Sequence, residues 1–259
     1  KEIESIKKIG QSAEVTTRLK HVITSVNSET DRPVISNFVD KLLADGEKGW
    51  RKVISDLLSK ESNQEIENLI NHCKTDLGES WAKTAEEIVK ISKIHKTDSS
   101  IMVLPLMNYY ELDPGDAIHI EPGVAHIYVQ GMAVEVMEPG DNVVRSGLTK
   151  KHTDKKEFLS ILDVNAEMPL VQNADAADHQ YTGPVDDLIV RRIEDTKIEV
   201  NGSRSVDLIL ATNGMSKVEY GKETQLKPGE AFLIQEEDLN YTIDTEGSAF
   251  LVRGEPYSY

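Results

Sequence analysis

Residues 114–129 read PGDAIHIEPGVAHIYV, and residues 228–243 read PGEAFLIQEEDLNYTI. The two stretches align without a gap. Each one indicates a Pro-Gly turn, a short apolar strand, a second turn and another strand, which is the unit from which antiparallel jelly rolls are built. The sequence therefore predicts two jelly-roll modules.

The two copies differ at the residue that enters the last strand, which is His126 in the first copy and Asn240 in the second. A neutral imidazole is a common zinc ligand, whereas an Asn amide is a weak one. No histidine follows His179, and the single cysteine is Cys73. We therefore expect metal chemistry in the first copy. The C-terminal module, from about Ala166, is expected to have no His or Cys in its strands and to bind no transition metal.

The composition limits the class of protein and its partners. The chain is 39% hydrophobic and 29% charged, which is typical of a globular protein, and its net charge of -16 argues against nucleic acid or an anionic membrane as a partner. A single cysteine excludes an intramolecular disulfide, and no early apolar run indicates a signal peptide. These features predict a cytoplasmic protein.

The first part of the chain has the periodicity of helices. Apolar residues recur at helical spacing over residues 1–95, as in Val53, Ile54, Leu57 and Leu58. This pattern predicts a helical domain.

From residue 96 onward the pattern changes to short apolar stretches joined by Gly and Pro turns, beginning with residues 101–112. Such stretches are typical of strands in a sandwich or barrel. Residues 165–184 are rich in Ala, Asp and Gln and have the composition of a linker, after which strand patterns resume. The predicted fold class is mainly β, with jelly-roll modules and an α-helical domain.

A polar group follows the first repeat. It consists of Asp141, Asn142 and Arg145, and four lysines come next, at Lys150, Lys151, Lys155 and Lys156. In an acidic chain this is a local concentration of positive charge, and a guanidinium with ammonium groups suits a phosphorylated substrate and an anionic intermediate. The alternative is that Asp141 pairs with Arg145 across a loop and that the lysines are only solvated.

These motifs together resemble the signature region of the type I mannose-6-phosphate isomerases. The resemblance rests on residues 114–117, on His126 with Tyr128, on Glu135-Val136-Met137 and on residues 141–149, which read DNVVRSGLT. It extends in weaker form over the whole chain, because that family has a helical insertion before this region and a metal-free jelly roll after it. The resemblance implies three domains. A helical domain is expected at 1–95 and a metal-free jelly-roll domain at 166–259. Residues 96–165 are expected to form the second part of a metal-binding cupin domain, which is the catalytic domain.

The resemblance implies a zinc-dependent aldose-ketose isomerase that interconverts mannose 6-phosphate and fructose 6-phosphate, active as a monomer when complete. Of the family's four zinc ligands, a Gln-x-His pair, a Glu and a later His, only the last is matched here, by His126. The sequence contains no Gln-x-His string and no Lys-Pro-Glu segment. We therefore expect the chain to correspond to a family member from just after its first catalytic segments, to be inactive alone and to expose an apolar edge where further strands pair.

The resemblance also implies roles for single residues. Arg145 matches the arginine that acts on the enediolate intermediate, and Asp141 matches the acidic residue that helps to place it. Tyr128 and Glu135 match residues that line the substrate site, and Lys151 matches a lysine that contacts the substrate phosphate.

Two other functions compete with the isomerase. One is a catalytically inactive cupin that binds a sugar phosphate without turnover, and the other is a structural β module whose helical region binds a partner. An encoded upstream segment with the Gln-x-His and Lys-Pro-Glu motifs would favour the isomerase.

Overall fold

The structure of the chain is a computed structural model. It describes residues 19, 22, 39, 40, 44–59, 63–75, 79–137, 140, 142–166, 169–183, 188–203, 206–235 and 239–254. Two compact units are present. The first unit consists of residues 1–111, 120–133 and 139–169, and the second consists of residues 112–119, 134–138 and 170–259. The sequence-based division into three domains stays a prediction.

The first unit contains the helices. From Glu47 onward the described helices are α1 (Glu47–Leu58), α2 (Asn63–Cys73), α3 (Glu79–Ile94), a 3-10 helix (Ser99–Leu106) and α4 (Lys155–Ile161), and the described residues Leu19, Val22, Val39 and Asp40 are helical too. The apolar stripe predicted for α1 is buried as expected, because Val53, Leu57 and Leu58 all lie in the core. Trp50 and Trp81 are buried in the same core.

The 3-10 helix replaces a predicted strand. Residues 101–112 were expected to be β, and this expectation is wrong for Ile101–Leu106. The Asp98 carboxylate accepts a hydrogen bond from the Ser100 N–H at 2.9 Å and caps the helix. The sequence signal failed because apolar side chains cover this short helix on nearly every side, so that its pattern has no helical period.

Both predicted Pro-Gly turns of the first repeat are confirmed. The Asp116 N–H donates to the Asp113 carbonyl at 2.9 Å, and the Val124 N–H donates to the Glu121 carbonyl at 3.2 Å. The glycine of each turn has a positive φ, 96° and 85°, which a residue with a β-carbon adopts only with strain. The predicted strand after the first turn is confirmed only as β1 (Ala117–Ile118).

The segment after His126 was also predicted to be a strand. Over the described residues 126–137 the structure contains no strand, so this prediction is wrong for that stretch. An extended chain becomes a strand only when a neighbour completes the ladder of backbone hydrogen bonds. Apolar side chains of this segment are open to solvent, with Tyr128 63% exposed and Met132 91% exposed.

The second unit contains the sheets. Its strands are β1 with β2 (Val171–Gln172), and then β3 (Asp178–Tyr181), β4 (Leu188–Glu194), β5 (Lys197–Ser203), β6 (Val206–Tyr220), β7 (Lys222–Leu226), β8 (Ala231–Ile234) and β9 (Leu239–Gly254). All pairings are antiparallel. The larger sheet has the order β3-β4-β9-β6-β7, with β5 beside β9 and β8 beside β6. The predicted fold class, mainly β with helices, is confirmed.

The long pair β6 and β9 forms the centre of this sheet. Ile209, Val218, Ile243 and Leu251 are buried on one face, and the residues beside Val218 and Ile243 in the chain are polar. The turn before β8 repeats the chemistry of the first copy, because the Glu230 N–H donates to the Lys227 carbonyl at 2.9 Å. The predicted turn and strand of the second copy are therefore confirmed.

Candidate functional site

His126 is the second residue after the Glu121–Val124 turn, and it is exposed. Its Nδ1 is 2.9 Å from the carbonyl oxygen of Val124. A carbonyl oxygen can only accept, so in the neutral ring Nδ1 carries the proton and Nε2 carries the lone pair. Metal-ligating histidines are commonly oriented in this way, with the second nitrogen donating to a backbone carbonyl. The local geometry therefore suits His126 as a metal ligand through Nε2.

Tyr128 lies beside His126. The two ring centroids are 5.8 Å apart, and the rings meet edge to face at 66°. Residues two positions apart in an extended segment project to the same side, which explains why the rings meet. The structure thus brings together two of the residues predicted from the sequence.

Arg145 is half-buried and lies in the same unit. Its Nη1 donates a long hydrogen bond of 3.4 Å to the Val143 carbonyl, and its own carbonyl accepts the Asp154 N–H at 2.9 Å. Among the residues that the structure describes, no carboxylate forms an ion pair with this guanidinium. Among the described residues most of its donors are therefore left uncommitted, which suits an anionic ligand.

The lysines that follow are not equivalent. Lys151 has an exposed side chain, and its backbone N–H donates to the Thr149 hydroxyl at 3.1 Å. Lys155 instead donates from Nζ to Ser99 Oγ at 2.7 Å and to the Leu58 carbonyl at 3.1 Å. The Lys155 ammonium therefore joins α4 to α1 and the 3-10 helix. Lys155 is therefore not merely solvated, and the predicted role of the four lysines toward a phosphate stays a prediction.

The remaining predicted residues lie elsewhere. Glu135 belongs to the second unit and is exposed there. Asp141 lies outside the described residues, so its predicted pairing with Arg145 stays a prediction. Within the described part of the chain, no group of three or more His, Cys, Asp or Glu side chains could hold a metal ion. The described residues therefore fit one ligand of a zinc site, His126, and do not complete it.

The sequence did not reveal the part played by Asp98. Its Oδ2 accepts the backbone N–H of Leu148 at 2.5 Å, in the middle of the loop between Arg145 and Lys151. The only signal available was the order Asp98-Ser99-Ser100 before an apolar run, which is a helix-capping pattern.

The helical part contains a separate cavity between α2 and α3. It measures about 490 Å³ and is lined by Cys73, Ala85, Val89 and three lysines among other residues. Burial raises the pKa of the Cys73 thiol to about 12. A raised pKa favours the protonated thiol, which is the less nucleophilic form.

The second copy of the repeat places Asn240 in β9, where it is exposed. One expectation about this module is wrong, because His179 lies in strand β3. Its Nδ1 is 2.9 Å from Asp175 Oδ1, and its ring packs edge to face on Tyr181 at 4.9 Å between centroids. One histidine with one carboxylate provides too few ligands for a stable zinc site.

We predict that residues 166–259, produced alone, bind no stoichiometric zinc. The reason is that Asn240 stands at the ligand position and that, among the described residues, too few metal-ligating side chains lie beside His179. Metal analysis after incubation with zinc and gel filtration measures this. One zinc per chain would contradict the prediction, and loss of that zinc in His179→Ala would identify the site.

Comparison with known proteins finds similarity to mannose-6-phosphate isomerases. Mannose-6-phosphate isomerase of Escherichia coli is 25% identical over 224 residues, which are 83% of this chain and 56% of that protein. A probable mannose-6-phosphate isomerase of Caenorhabditis elegans is 36% identical over 83 residues, 31% of this chain and 20% of that protein. The chain spans about half the length of the curated relatives it matches over most of its length. No family model matches the sequence.

Solved structures show the same similarity. The apo form of mannose 6-phosphate isomerase from Salmonella typhimurium superposes with a TM-score of 0.73 at 20% identity, over 96% of this chain and 63% of that one. The same enzyme bound to fructose 6-phosphate and zinc gives a TM-score of 0.71 at 20% identity, over 94% and 61%. The sequence-based resemblance to this family and its cupin-type fold is confirmed. The helices of the described ranges include none that is both long and apolar enough to cross a membrane.

Proposed function

We propose that the protein containing this chain is a zinc-dependent aldose-ketose isomerase that interconverts mannose 6-phosphate and fructose 6-phosphate. The observation that carries the proposal is the similarity to mannose-6-phosphate isomerases over 83% of the chain. Two local features support it, namely the orientation of His126 as a ligand and the available guanidinium of Arg145.

The reaction moves a proton between two adjacent sugar carbons, and negative charge develops on the oxygens as an enediolate forms. Arg145 is proposed to donate hydrogen bonds to that charge, because a guanidinium presents a planar pair of N–H donors. Lys151 is proposed to bind the phosphate. Tyr128 and Glu135 are proposed to line the sugar site, and Asp141 to orient Arg145.

Zinc is proposed as the cofactor, with His126 Nε2 as one ligand. A bound zinc ion would polarise the sugar carbonyl as a Lewis acid. Zinc requires three or four protein donors, and the Gln-x-His pair that the resemblance implies is absent from these 259 residues. These 259 residues are therefore proposed to supply one metal ligand and the groups that bind the sugar phosphate.

The test uses the protein as its gene encodes it. We expect it to convert mannose 6-phosphate to fructose 6-phosphate, to lose turnover when a chelator removes the metal and to regain it with zinc. His126→Ala is expected to lower both zinc content and turnover, the latter by at least about 100-fold, because a metal ligand is lost. His95→Ala is the matched control, since His95 is a half-buried histidine outside the proposed site.

Sugar-phosphate binding without turnover in the zinc-loaded protein would contradict the isomerase and favour the inactive binding protein. Zinc content that is unchanged in His126→Ala would remove His126 from the metal site. A cytoplasmic monomer without a nucleic-acid or membrane partner stays a prediction.

A further inference from the structure

We infer that Asp98 is a positioning residue for the proposed reaction. Its carboxylate holds the loop 145–151 in the conformation in which Arg145 and Lys151 face the substrate. This inference rests on the proposed function, because only there are the two cationic residues of the loop, Arg145 and Lys151, groups that bind the substrate.

The first observation is that Asp98 uses both of its carboxylate oxygens on backbone N–H groups. Oδ1 accepts from Ser100 at 2.9 Å, at the start of the 3-10 helix. Oδ2 accepts from Leu148 at 2.5 Å, fifty residues further along the chain. Hydrogen bonds to an ionised carboxylate are shorter and stronger than those between neutral groups. One side chain therefore joins a helix to the loop.

The second observation is that the loop fits closely against this carboxylate. A β-carbon at Gly147 would collide with Asp98 Oδ1 and with the Ser100 hydroxyl. The Ser100 and Ser146 hydroxyls are 3.3 Å apart. A side chain at position 147 would have to displace the Asp98 carboxylate or the Ser100 hydroxyl, and the contact therefore depends on shape as well as charge.

The third observation is backbone strain at the point of contact. Leu148 has a φ of 56°, in the left-handed region that non-glycine residues rarely adopt. Such a conformation persists only when the surrounding structure imposes it. The Leu148 N–H is the group that Asp98 holds, so the carboxylate directly stabilises the strained residue.

The fourth observation is where the contact lies in the loop. Leu148 stands three residues after Arg145 and three before Lys151. Beyond Lys151 the loop is closed by the hydrogen bond from the Asp154 N–H to the Arg145 carbonyl and by the anchored Lys155 ammonium. These contacts hold the ends of the loop, whereas Asp98 holds its middle. Removal of the Asp98 carboxylate should therefore free the middle of the loop, residues 146–150, which sets how Arg145 and Lys151 are placed relative to each other.

The first experiment measures the order of the loop and does not depend on activity. In Asp98→Asn one oxygen is replaced by an NH₂ group, which cannot accept, so one of the two backbone hydrogen bonds is lost. We expect trypsin to cleave after Lys150 or Lys151 in the folded protein about tenfold faster. Asp163→Asn is the matched control, because Asp163 Oδ1 also accepts a backbone N–H, that of Asn165 at 2.8 Å, but lies outside the loop 145–151. It should leave the cleavage rate unchanged.

The second experiment is a double-mutant cycle on isomerase kinetics. We expect Asp98→Asn to lower kcat/KM by about tenfold or more, since a small displacement of a transition-state donor can cost about 100-fold. In an Arg145→Ala background the same substitution should change kcat/KM much less, because the group that Asp98 positions is then absent. If Asp98 only stabilised the fold, Asp98→Asn would lower the fraction of active protein, and with it kcat/KM, by the same factor in both backgrounds.

Equal losses in the two backgrounds would overturn the positioning role. Unchanged trypsin cleavage in Asp98→Asn would overturn the anchoring of the loop. A wild-type protein without turnover would overturn the proposed function and the role in the reaction with it, while the trypsin comparison would still decide whether Asp98 holds the loop.

Discussion

Replacement of Arg145 by alanine is expected to lower isomerase turnover by about 100-fold or more, with folding and zinc content nearly unchanged. The Arg145 guanidinium is half-buried, and its hydrogen bond to the Val143 carbonyl is long, at 3.4 Å. Most of its donors contact none of the described residues, so in the proposed reaction they are expected to act on the negative charge that develops on the sugar oxygens. A donor that acts mainly on the transition state affects kcat, and steady-state kinetics with zinc-loaded protein measures this.

Two variants complete this experiment. Arg145→Lys keeps the charge but loses the planar pair of donors, so it should recover only part of the turnover. Lys52→Ala removes an exposed cation from α1 and controls for a change in overall charge. Wild-type turnover in the metal-loaded Arg145→Ala protein would exclude Arg145 from the mechanism.

The second large effect is expected in the C-terminal sheet, at Asp207. This carboxylate is fully buried and accepts hydrogen bonds from Arg253 Nε at 2.7 Å and from Arg253 Nη2 at 2.8 Å. It also accepts the Tyr241 hydroxyl at 2.5 Å. Burial and then the neighbouring Asp207 raise the pKa of Tyr241, so the hydroxyl stays a donor at neutral pH. The three side chains join β6 to β9.

Asp207→Ala is expected to lower the free energy of unfolding by about 3 kcal/mol, because it leaves the Arg253 guanidinium without its counter-charge. The value lies at the lower end for a broken buried pair, since the Arg253 side chain is still 23% exposed. Urea denaturation followed by circular dichroism measures the change.

The matched control for Asp207 removes both charges. Asp207→Leu combined with Arg253→Met should be less destabilising than Asp207→Ala, because no charge is then left buried and unpaired. An equal loss in the single and double variants would show that packing, and not the unpaired guanidinium, accounts for the effect.

Local sequence patterns correctly predicted helix faces and turns, which depend on residues close together in the chain. The stripe of Val53, Leu57 and Leu58 specified one face of α1, and the Pro-Gly pairs specified turns with positive φ at glycine. The pattern failed at Ile101–Leu106, where uniform apolarity carries no period. It failed again after His126, because a strand depends on a neighbour and not on its own residues alone.

The candidate site also combines features that local sequence indicates with features that depend on contacts between distant residues. The sequence alone, through its repeats and its resemblance to a family, singled out His126, Arg145 and Lys151 and marked Asn240 as the position where the second copy lacks a ligand. Only the tertiary structure decided that Lys155 Nζ is bound to Ser99 and that Asp98 holds the loop at Leu148, whereas His126 presents Nε2 because of a contact with Val124, two residues away. Turns and helix faces arise from interactions between near neighbours in the chain, which a pattern of residues records. The Asp98 and Lys155 contacts join residues about fifty or more positions apart, and packing of the whole unit is what brings those residues together.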